Sequence, residues 1–250
     1  MNNTLKSILL IFTVVFVLQS CKTDKKELKI TDSISLFKAM KKKNDGKWFQ
    51  NYTFKQLTIR LDSLGKTKDS ILWYESVSYP NNFRIDTDIS KNNYVIYKND
   101  SAYVFRQDTL WINRHYPQPH LLFKGGLYFM NHEKVLGKFV DYEYNLEAFK
   151  KTTYKNEPVY VVGDDSKQLW IHAEHFYTIR RKYTSRRGEL IDVVYDDFIP
   201  FKNGWVEQKV TFYVDGIKDQ IEYYQDIKYR ESTDPKIYNH RENNKWYLKY

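Results

Sequence analysis

The sequence predicts a mostly β (α+β) protein in which one large antiparallel sheet curls beneath a helical cover. Apolar and polar residues alternate in about ten short segments, and such segments form strands with one buried and one solvated face. Aromatic residues make up 17% of the chain, which favours β structure. No long helical pattern separates the segments. About ten strands within one domain must curl to bury their apolar face.

The first residues of the chain predict export. Lys6 precedes an apolar run over residues 8–18, which is shorter than the roughly 20 residues that a membrane-spanning helix needs. A basic residue followed by such a run is typical of a secretory signal. Residues 1–20 are therefore predicted to be a signal peptide.

The residues that follow this run resemble the lipobox of bacterial lipoproteins, in which a cysteine is acylated and the chain is cut before it. Here the motif is Leu18-Gln19-Ser20-Cys21. The resemblance implies lipidation at Cys21, a charged tether over 21–30 and a single folded domain over 31–250. Lys22 replaces the Asp of an inner-membrane retention signal, so we predict a lipid-anchored protein of the outer membrane that faces the periplasm.

Composition excludes several classes of function. The single Cys excludes disulfide frameworks and Cys-based zinc or iron–sulfur sites. Neither GxGxxG nor GxxxxGKS/T occurs, which leaves no phosphate-binding loop. The chain carries 40 Lys+Arg against 31 Asp+Glu. Export removes the protein from nucleic acid, so this excess predicts a solvated surface that anionic lipid headgroups can attract. No cofactor is predicted.

The predicted elements follow one another in two groups of strands. A helix over 31–44, capped by Asp32 or Ser33, comes first. The predicted strands cover 52–61, 71–79, 83–86, 94–97, 103–106, 142–148, 159–162, 169–171, 176–183, 190–195, 206–214 and 217–229. In the last strand, Ile221 and Tyr223 are predicted to face inward and Glu222 to face solvent. Arg181, in a basic cluster beside a hairpin turn, is predicted to protect a sheet edge.

Residues 118–140 interrupt the strands. They are rich in apolar residues, contain the pair Gly125-Gly126 and begin beside Pro117 and Pro119, which favours short helices that cover the concave side of the sheet and move. A plain connecting helix packed on the sheet stays open as the alternative.

A curled sheet encloses either a packed core or a cavity. An apolar cavity closed by a movable cover, in a protein held at a membrane, suits an acyl chain. The predicted lining residues are Trp73, Val77, Phe83 and Ile85 on the strands, and Leu122, Phe123, Leu127, Phe129, Val135 and Phe139 on the cover. The alternative is a structural or interaction lipoprotein with a fully packed core, which docks a protein of the envelope.

Several strand motifs resemble the LolA/LolB superfamily of outer-membrane lipoprotein carriers and receptors. They are Leu72-Trp73, Tyr79-Pro80-Asn81-Asn82-Phe83-Arg84-Ile85, Tyr94-Val95-Ile96-Tyr97, Ser101-Ala102-Tyr103-Val104-Phe105 and Leu169-Trp170-Ile171-His172. The resemblance covers most of residues 48–230. It implies an unclosed antiparallel barrel that is covered by helices and binds the acyl chains of lipids or lipoproteins, in lipoprotein sorting or lipid transport. Tyr79 stands where the soluble carriers have a basic residue.

No catalytic or metal site is predicted. His172 and His175 lie three residues apart on a predicted strand and so point to opposite faces, which does not suit a shared metal. The SxxK matches at Ser35 and Ser63 lack their partner motifs. A hydrolase acting on lipid or glycan remains a further alternative, and it would require a His or carboxylate pair inside the concavity.

Overall fold

The computed structural model describes residues 29–241 and 245–249. The predicted signal peptide, Cys21 and nearly all of the predicted tether lie outside these residues. Within them, one sheet of thirteen strands accounts for most of the fold, and every pairing between neighbouring strands is antiparallel.

The strands fall into two consecutive groups along the chain. The first group is β1 (Asn51–Leu61), β2 (Thr67–Ser78), β3 (Asn82–Asp88), β4 (Asn93–Lys98), β5 (Ser101–Arg106) and β6 (Thr109–His115). The second is β7 (Phe149–Tyr154), β8 (Glu157–Val162), β9 (Lys167–His172), β10 (Thr178–Thr184), β11 (Leu190–Phe201), β12 (Gly204–Val214) and β13 (Ile217–Arg230). Their order in the sheet is β6-β5-β4-β3-β2-β1-β13-β12-β11-β10-β9-β8-β7. β6 and β7 form the two edges, so the sheet is not closed into a barrel.

Three α-helices and a short 3-10 helix lie against one face of this sheet. They are α1 (Ser33–Asn44), α2 (Pro119–Phe123), the 3-10 helix Gly126–Phe129 and α3 (His132–Asp141). Asp32 caps α1 and accepts the backbone N–H of Ser35, while Asn131 caps α3 in the same way through Lys134. Short helices over the predicted cover, and the predicted helix before the first strand, are both confirmed.

The packed core joins the cover to the sheet. Leu36, Phe37, Phe123 and Phe139 contribute buried side chains from the helices, and Phe37 and Phe139 stack with ring centroids 4.3 Å apart. Two hydrogen bonds tie the middle of the cover to residues around the start of β10. Tyr128 Oη donates to the carbonyl of Phe176 at 2.9 Å, and Thr178 Oγ1 donates to that of Phe123 at 2.6 Å.

The two glycines of the cover permit close packing. A Cβ at Gly126 would lie 2.2 Å from the carbonyl oxygen of Leu121, and one at Gly125 would lie 2.7 Å from the rings of Trp48 and Tyr79. Both positions therefore require glycine for steric reasons. Whether the cover moves stays a prediction.

Three sequence-based predictions about strands are wrong. Residues 142–148 form no strand, because Tyr142 ends α3 and the backbone N–H of Tyr144 turns back to the carbonyl of Phe139 at 2.9 Å. Arg181 does not protect an edge, since β10 lies between β9 and β11. Glu222 is 7% exposed and faces inward. The strands β6 and β7 were not predicted.

The opposite face of the sheet carries the C-terminal residues. The 3-10 helices Pro235–Tyr238 and Trp246–Lys249 pack Ile237, Tyr238 and Trp246 against Tyr94, Ile96 and Phe105 of β4 and β5. Arg84 and Asp86 lie buried beneath them, with Arg84 fully inaccessible to solvent. No helix among the described residues is long and apolar enough to cross a bilayer.

Candidate functional site

A cavity of about 240 Å³ lies between the sheet and the start of α2. Its strand residues come from β1, β2, β3 and β10–β13, and seven strands line one cavity only because the sheet curls around it. The apolar and aromatic lining residues are Trp73, Phe83, Ile85, Tyr116, Pro119, Tyr183, Val193, Tyr195, Val210, Phe212 and Tyr224. The polar ones are Gln56, Glu75, Gln118, His120, Arg181 and Glu222.

The predicted lining residues divide between this cavity and the solid core. Trp73, Phe83 and Ile85 line the cavity. Val77 is fully buried in the core beside it. Leu122, Phe123, Leu127, Val135 and Phe139 are buried in the core between cover and sheet, and Phe129 is half-buried against it. Most of the predicted cover residues thus fill the concavity themselves.

Three glutamates and one lysine form a buried charged cluster beside the cavity. Lys124, the residue that ends α2, forms an ion pair with Glu207 of β12 and donates to the hydroxyl of Tyr224 at 3.0 Å. Glu75 of β2 and Glu222 of β13 line the cavity next to this pair. Glu222 accepts from Gln220 Nε2 at 2.7 Å. The cover is therefore attached to the sheet through charge as well as through apolar contact.

Burial shifts the ionisation of this cluster toward neutral forms. Burial raises the pKa of Glu75 well above its ordinary value, the charge of Glu222 raises it further, and Lys124 opposes the shift. Burial likewise raises the pKa of Glu222, against the opposing charge of Lys124. Burial lowers the pKa of Lys124, while Glu222 and Glu75 favour its charged form. Each shift reflects the cost of holding an ion in a low-dielectric interior.

His120 and Arg181 face the cavity from opposite elements, α2 and β10. The imidazole of His120 stacks on Phe83 with ring centroids 4.9 Å apart. Burial lowers the pKa of His120 well below its ordinary value, and the charges of Lys124 and Arg181 lower it further, so the ring is neutral near pH 7. The guanidinium of Arg181 lies 5.0 Å from the ring centroid of Phe123.

Sequence reasoning missed these charged residues. Glu75 shares a face with Trp73 and Val77, which were predicted to point inward, so its position in the strand was the available signal. Arg181 shares a face with Tyr183 in the same way. Residues two positions apart on a strand share a face, so a carboxyl group two residues from a buried side chain is expected to point inward.

No group of three or more His, Cys, Asp or Glu residues that could hold a metal ion occurs in the described part of the chain. His172 Nδ1 accepts the backbone N–H of Glu174 and of His175, at 3.2 and 3.1 Å. This ring therefore helps to build the turn between β9 and β10. The prediction that His172 and His175 point to opposite faces is wrong, because the turn brings the two rings together with centroids 4.9 Å apart.

Comparison with known proteins bears on the fold. No protein-family model matches the chain, and no curated protein matches it. Among solved structures, a LolA superfamily protein from Nitrosomonas europaea is 14% identical, with a TM-score of 0.53 over 84% of this chain and 98% of its own. A DUF1329 family protein from Desulfovibrio piger is 10% identical, with a TM-score of 0.55 over 84% of this chain and 99% of its own. The chain has a LolA-like fold.

Proposed function

We propose that this protein binds the hydrocarbon chain of a lipid or lipoprotein in the cavity beneath α2, without covalent chemistry, while a lipid at Cys21 anchors it to the outer membrane on the periplasmic side. The observation that carries the proposal is a cavity of about 240 Å³ in a sheet that curls beneath a helical cover, with apolar and aromatic side chains lining it beside polar and charged ones. The LolA-like fold supports the same function.

The size of the cavity limits what the closed form accepts. An apolar cavity of about 150 Å³ is large enough for benzene, and a water-sized group occupies about 30 Å³. The cavity of about 240 Å³ therefore accepts roughly eight such groups. Burial of about eight methylenes contributes on the order of 6 kcal/mol, which corresponds to a Kd of tens of micromolar at best. A longer acyl chain requires α2 and the 3-10 helix Gly126–Phe129 to move away from the sheet.

Lipid uptake tests this function. Protein purified from membranes should release a lipid other than its own anchor on extraction, seen by mass spectrometry, and should bind a fluorescent fatty acid. Ile85→Trp should lower this uptake several-fold, because the larger ring occupies the cavity that Ile85 lines. Leu72→Trp is the matched control, since Leu72 is 38% exposed and precedes the lining residue Trp73. No recovered lipid together with no uptake would reject the function.

A hydrolase is the second candidate, because Glu75, Glu222 and His120 line the same cavity. Two carboxyl groups with raised pKa values beside a neutral imidazole are groups that acid–base catalysis uses. The same mass spectrometry separates the two functions. A carrier returns a supplied acyl ester unchanged, whereas a hydrolase returns the free acid, and substitution of Glu75 or Glu222 by Gln would abolish that release.

The lipid anchor is tested separately, by growing cells with an alkyne analogue of palmitate. We expect the wild-type protein to incorporate the label and Cys21→Ser to incorporate none, because serine lacks the thiol that accepts the acyl group. Ser20→Ala, which leaves the thiol in place, is the control. Labelling of the Cys21→Ser protein at the wild-type level would place the acyl group elsewhere and reject this anchor.

A further inference from the structure

Three buried nitrogen atoms around the cavity have no hydrogen-bond partner among the residues that the structure describes. They are Nε1 of Trp73, Nε2 of His120 and Nε of Arg181, and all three residues line the same cavity. Indole and guanidinium nitrogens act only as donors, and a neutral imidazole offers one N–H. Most buried polar groups in proteins have a partner, so a cluster of unpaired donors around a cavity indicates a site for an acceptor-rich group.

Arg181 also lacks an ion-pair partner. Among the described residues no carboxylate lies within 4.0 Å of its guanidinium, which is surrounded by the phenols of Tyr144, Tyr183 and Tyr195. Two other arginines of the sheet, Arg180 and Arg84, differ from Arg181. Arg180 pairs with Asp192 through Nε at 2.8 Å, and Arg84 pairs with Asp86. A charge shielded from water is costly unless an opposite charge compensates it.

The carboxyl groups of the cavity do not supply that opposite charge. Glu207 is engaged by Lys124. Burial raises the pKa of Glu222 to about 7 and that of Glu75 well above its ordinary value, so both carboxyl groups are mainly neutral at pH 6. A protonated carboxyl group donates a hydrogen bond, so these two side chains in their neutral form add to the donors. The cavity therefore presents one uncompensated positive charge.

The remaining wall of the cavity suits hydrocarbon. Phe83 and Ile85 on β3, Val193 on β11, and Val210 and Phe212 on β12 face the same space as Arg181. A ligand that fits both parts has an anionic end and a single apolar chain. A neutral alcohol of equal length offers one hydroxyl oxygen and no charge. It would therefore pair with fewer of the donors and leave the positive charge uncompensated, and each buried donor left unpaired costs about 1–3 kcal/mol.

Resting on the proposed function, we propose that this cavity is selective for single-chain anionic amphiphiles, whose carboxylate or phosphate group pairs with Arg181 while the chain lies against the apolar wall. The neutral ring of His120 and the indole of Trp73 supply further donors to the same group. Arg181 is thus the residue that determines specificity.

Displacement of the neutral probe N-phenyl-1-naphthylamine at pH 6, where Glu222 is mainly neutral, by decanoate, decyl phosphate and decanol tests this inference. The chain starting at residue 22 retains every described element and lacks the anchor. The wild-type protein should bind the two anions at least tenfold more tightly than decanol. Arg181→Gln should lose most of that preference and keep its affinity for decanol. A preference for decyl phosphate would indicate a phospholipid-type headgroup, and one for decanoate a free fatty acid.

Arg180→Gln is the matched control, because this neighbouring arginine is paired with Asp192, and it should retain the full preference. Arg181→Lys, which keeps the charge, should retain part of it. Equal wild-type affinities for decanol and the anions would overturn the inference and leave the proposed function standing, even if Arg181→Gln did not fold. If none of the three ligands displaced the probe, the proposed function itself would fail.

Discussion

Replacing Arg84 by methionine is expected to lower the free energy of unfolding by about 3–5 kcal/mol, because it leaves a buried carboxylate without its cation. Arg84 has no exposed surface and makes a bidentate contact with Asp86, at 3.0 Å from Nε and 2.8 Å from Nη2. It also donates to the carbonyl of Ile237 at 3.1 Å and lies 4.4 Å from the ring centroid of Tyr94. Urea-induced unfolding monitored by circular dichroism measures the change.

The loss of stability on removing Arg84 depends on which groups still stabilise the charge of Asp86. Burial raises the pKa of Asp86, and Arg84 and Trp246 oppose the shift. Without Arg84, Trp246 Nε1, at 2.7 Å, is the side-chain donor to Asp86 that remains within the described part of the chain. The double variant Arg84→Met/Asp86→Leu should recover much of the lost stability, since replacing both members of a buried pair by apolar groups is often tolerated.

Arg60→Gln provides the comparison for a half-exposed pair, since Arg60 Nε lies 3.2 Å from Asp69 Oδ1 at the surface, and it should cost about 1 kcal/mol or less. A loss below about 1 kcal/mol for Arg84→Met would mean that the C-terminal 3-10 helices do not seal this pair from water. The pair is separate from the cavity, on the opposite face of the sheet. Arg84→Met should therefore leave the preference for anionic amphiphiles unchanged in protein that remains folded.

The sequence predicted best those elements in which the order of apolar and polar residues follows which side chains are buried. Alternation placed β2 and β13, and apolar residues between prolines and Asn131 placed the cover. The sequence did not predict the edge strands β6 and β7, because neither strand contains a buried residue. Thr109–His115 has six exposed residues and one half-buried residue, so its strand conformation rests on backbone pairing with β5 rather than on a buried face.

The inward charges were missed because alternation assigns polar residues to solvent. In β13 the pattern also changes face. Thr53 pairs with Lys228 and Lys55 with Gln225, so β13 carries an extra residue here, and Asp226 has a φ of 50°. After this bulge along the strand, Ile227 contacts the core. Before it, Glu222 is the residue that is buried. A single period-2 pattern through the strand could not predict that switch.

The second large effect is expected from Glu75→Gln, which should stabilise the protein at pH 8 and leave it unchanged near pH 4. Burial raises the folded-state pKa of Glu75, so the folded state binds its proton more tightly than the unfolded chain does. The stability that this group contributes is complete below its unfolded pKa of about 4.3 and is lost as pH rises through the folded pKa. Glutamine keeps the shape and carries no charge, so it does not incur this loss.

The expected change in stability follows from the difference between the pKa of Glu75 in the folded state and in the unfolded chain. Each unit by which the pKa is raised corresponds to about 1.4 kcal/mol, and 1 kcal/mol shifts the melting temperature by about 2–4 °C in a domain of this size. Thermal unfolding at the two pH values measures the difference, with Glu147→Gln as the control at an exposed position. If Glu75→Gln lowered the melting temperature at pH 8, Glu75 would be ionised and paired with Lys124. The cavity would then carry no net positive charge, and Arg181 would have no preference for an anion.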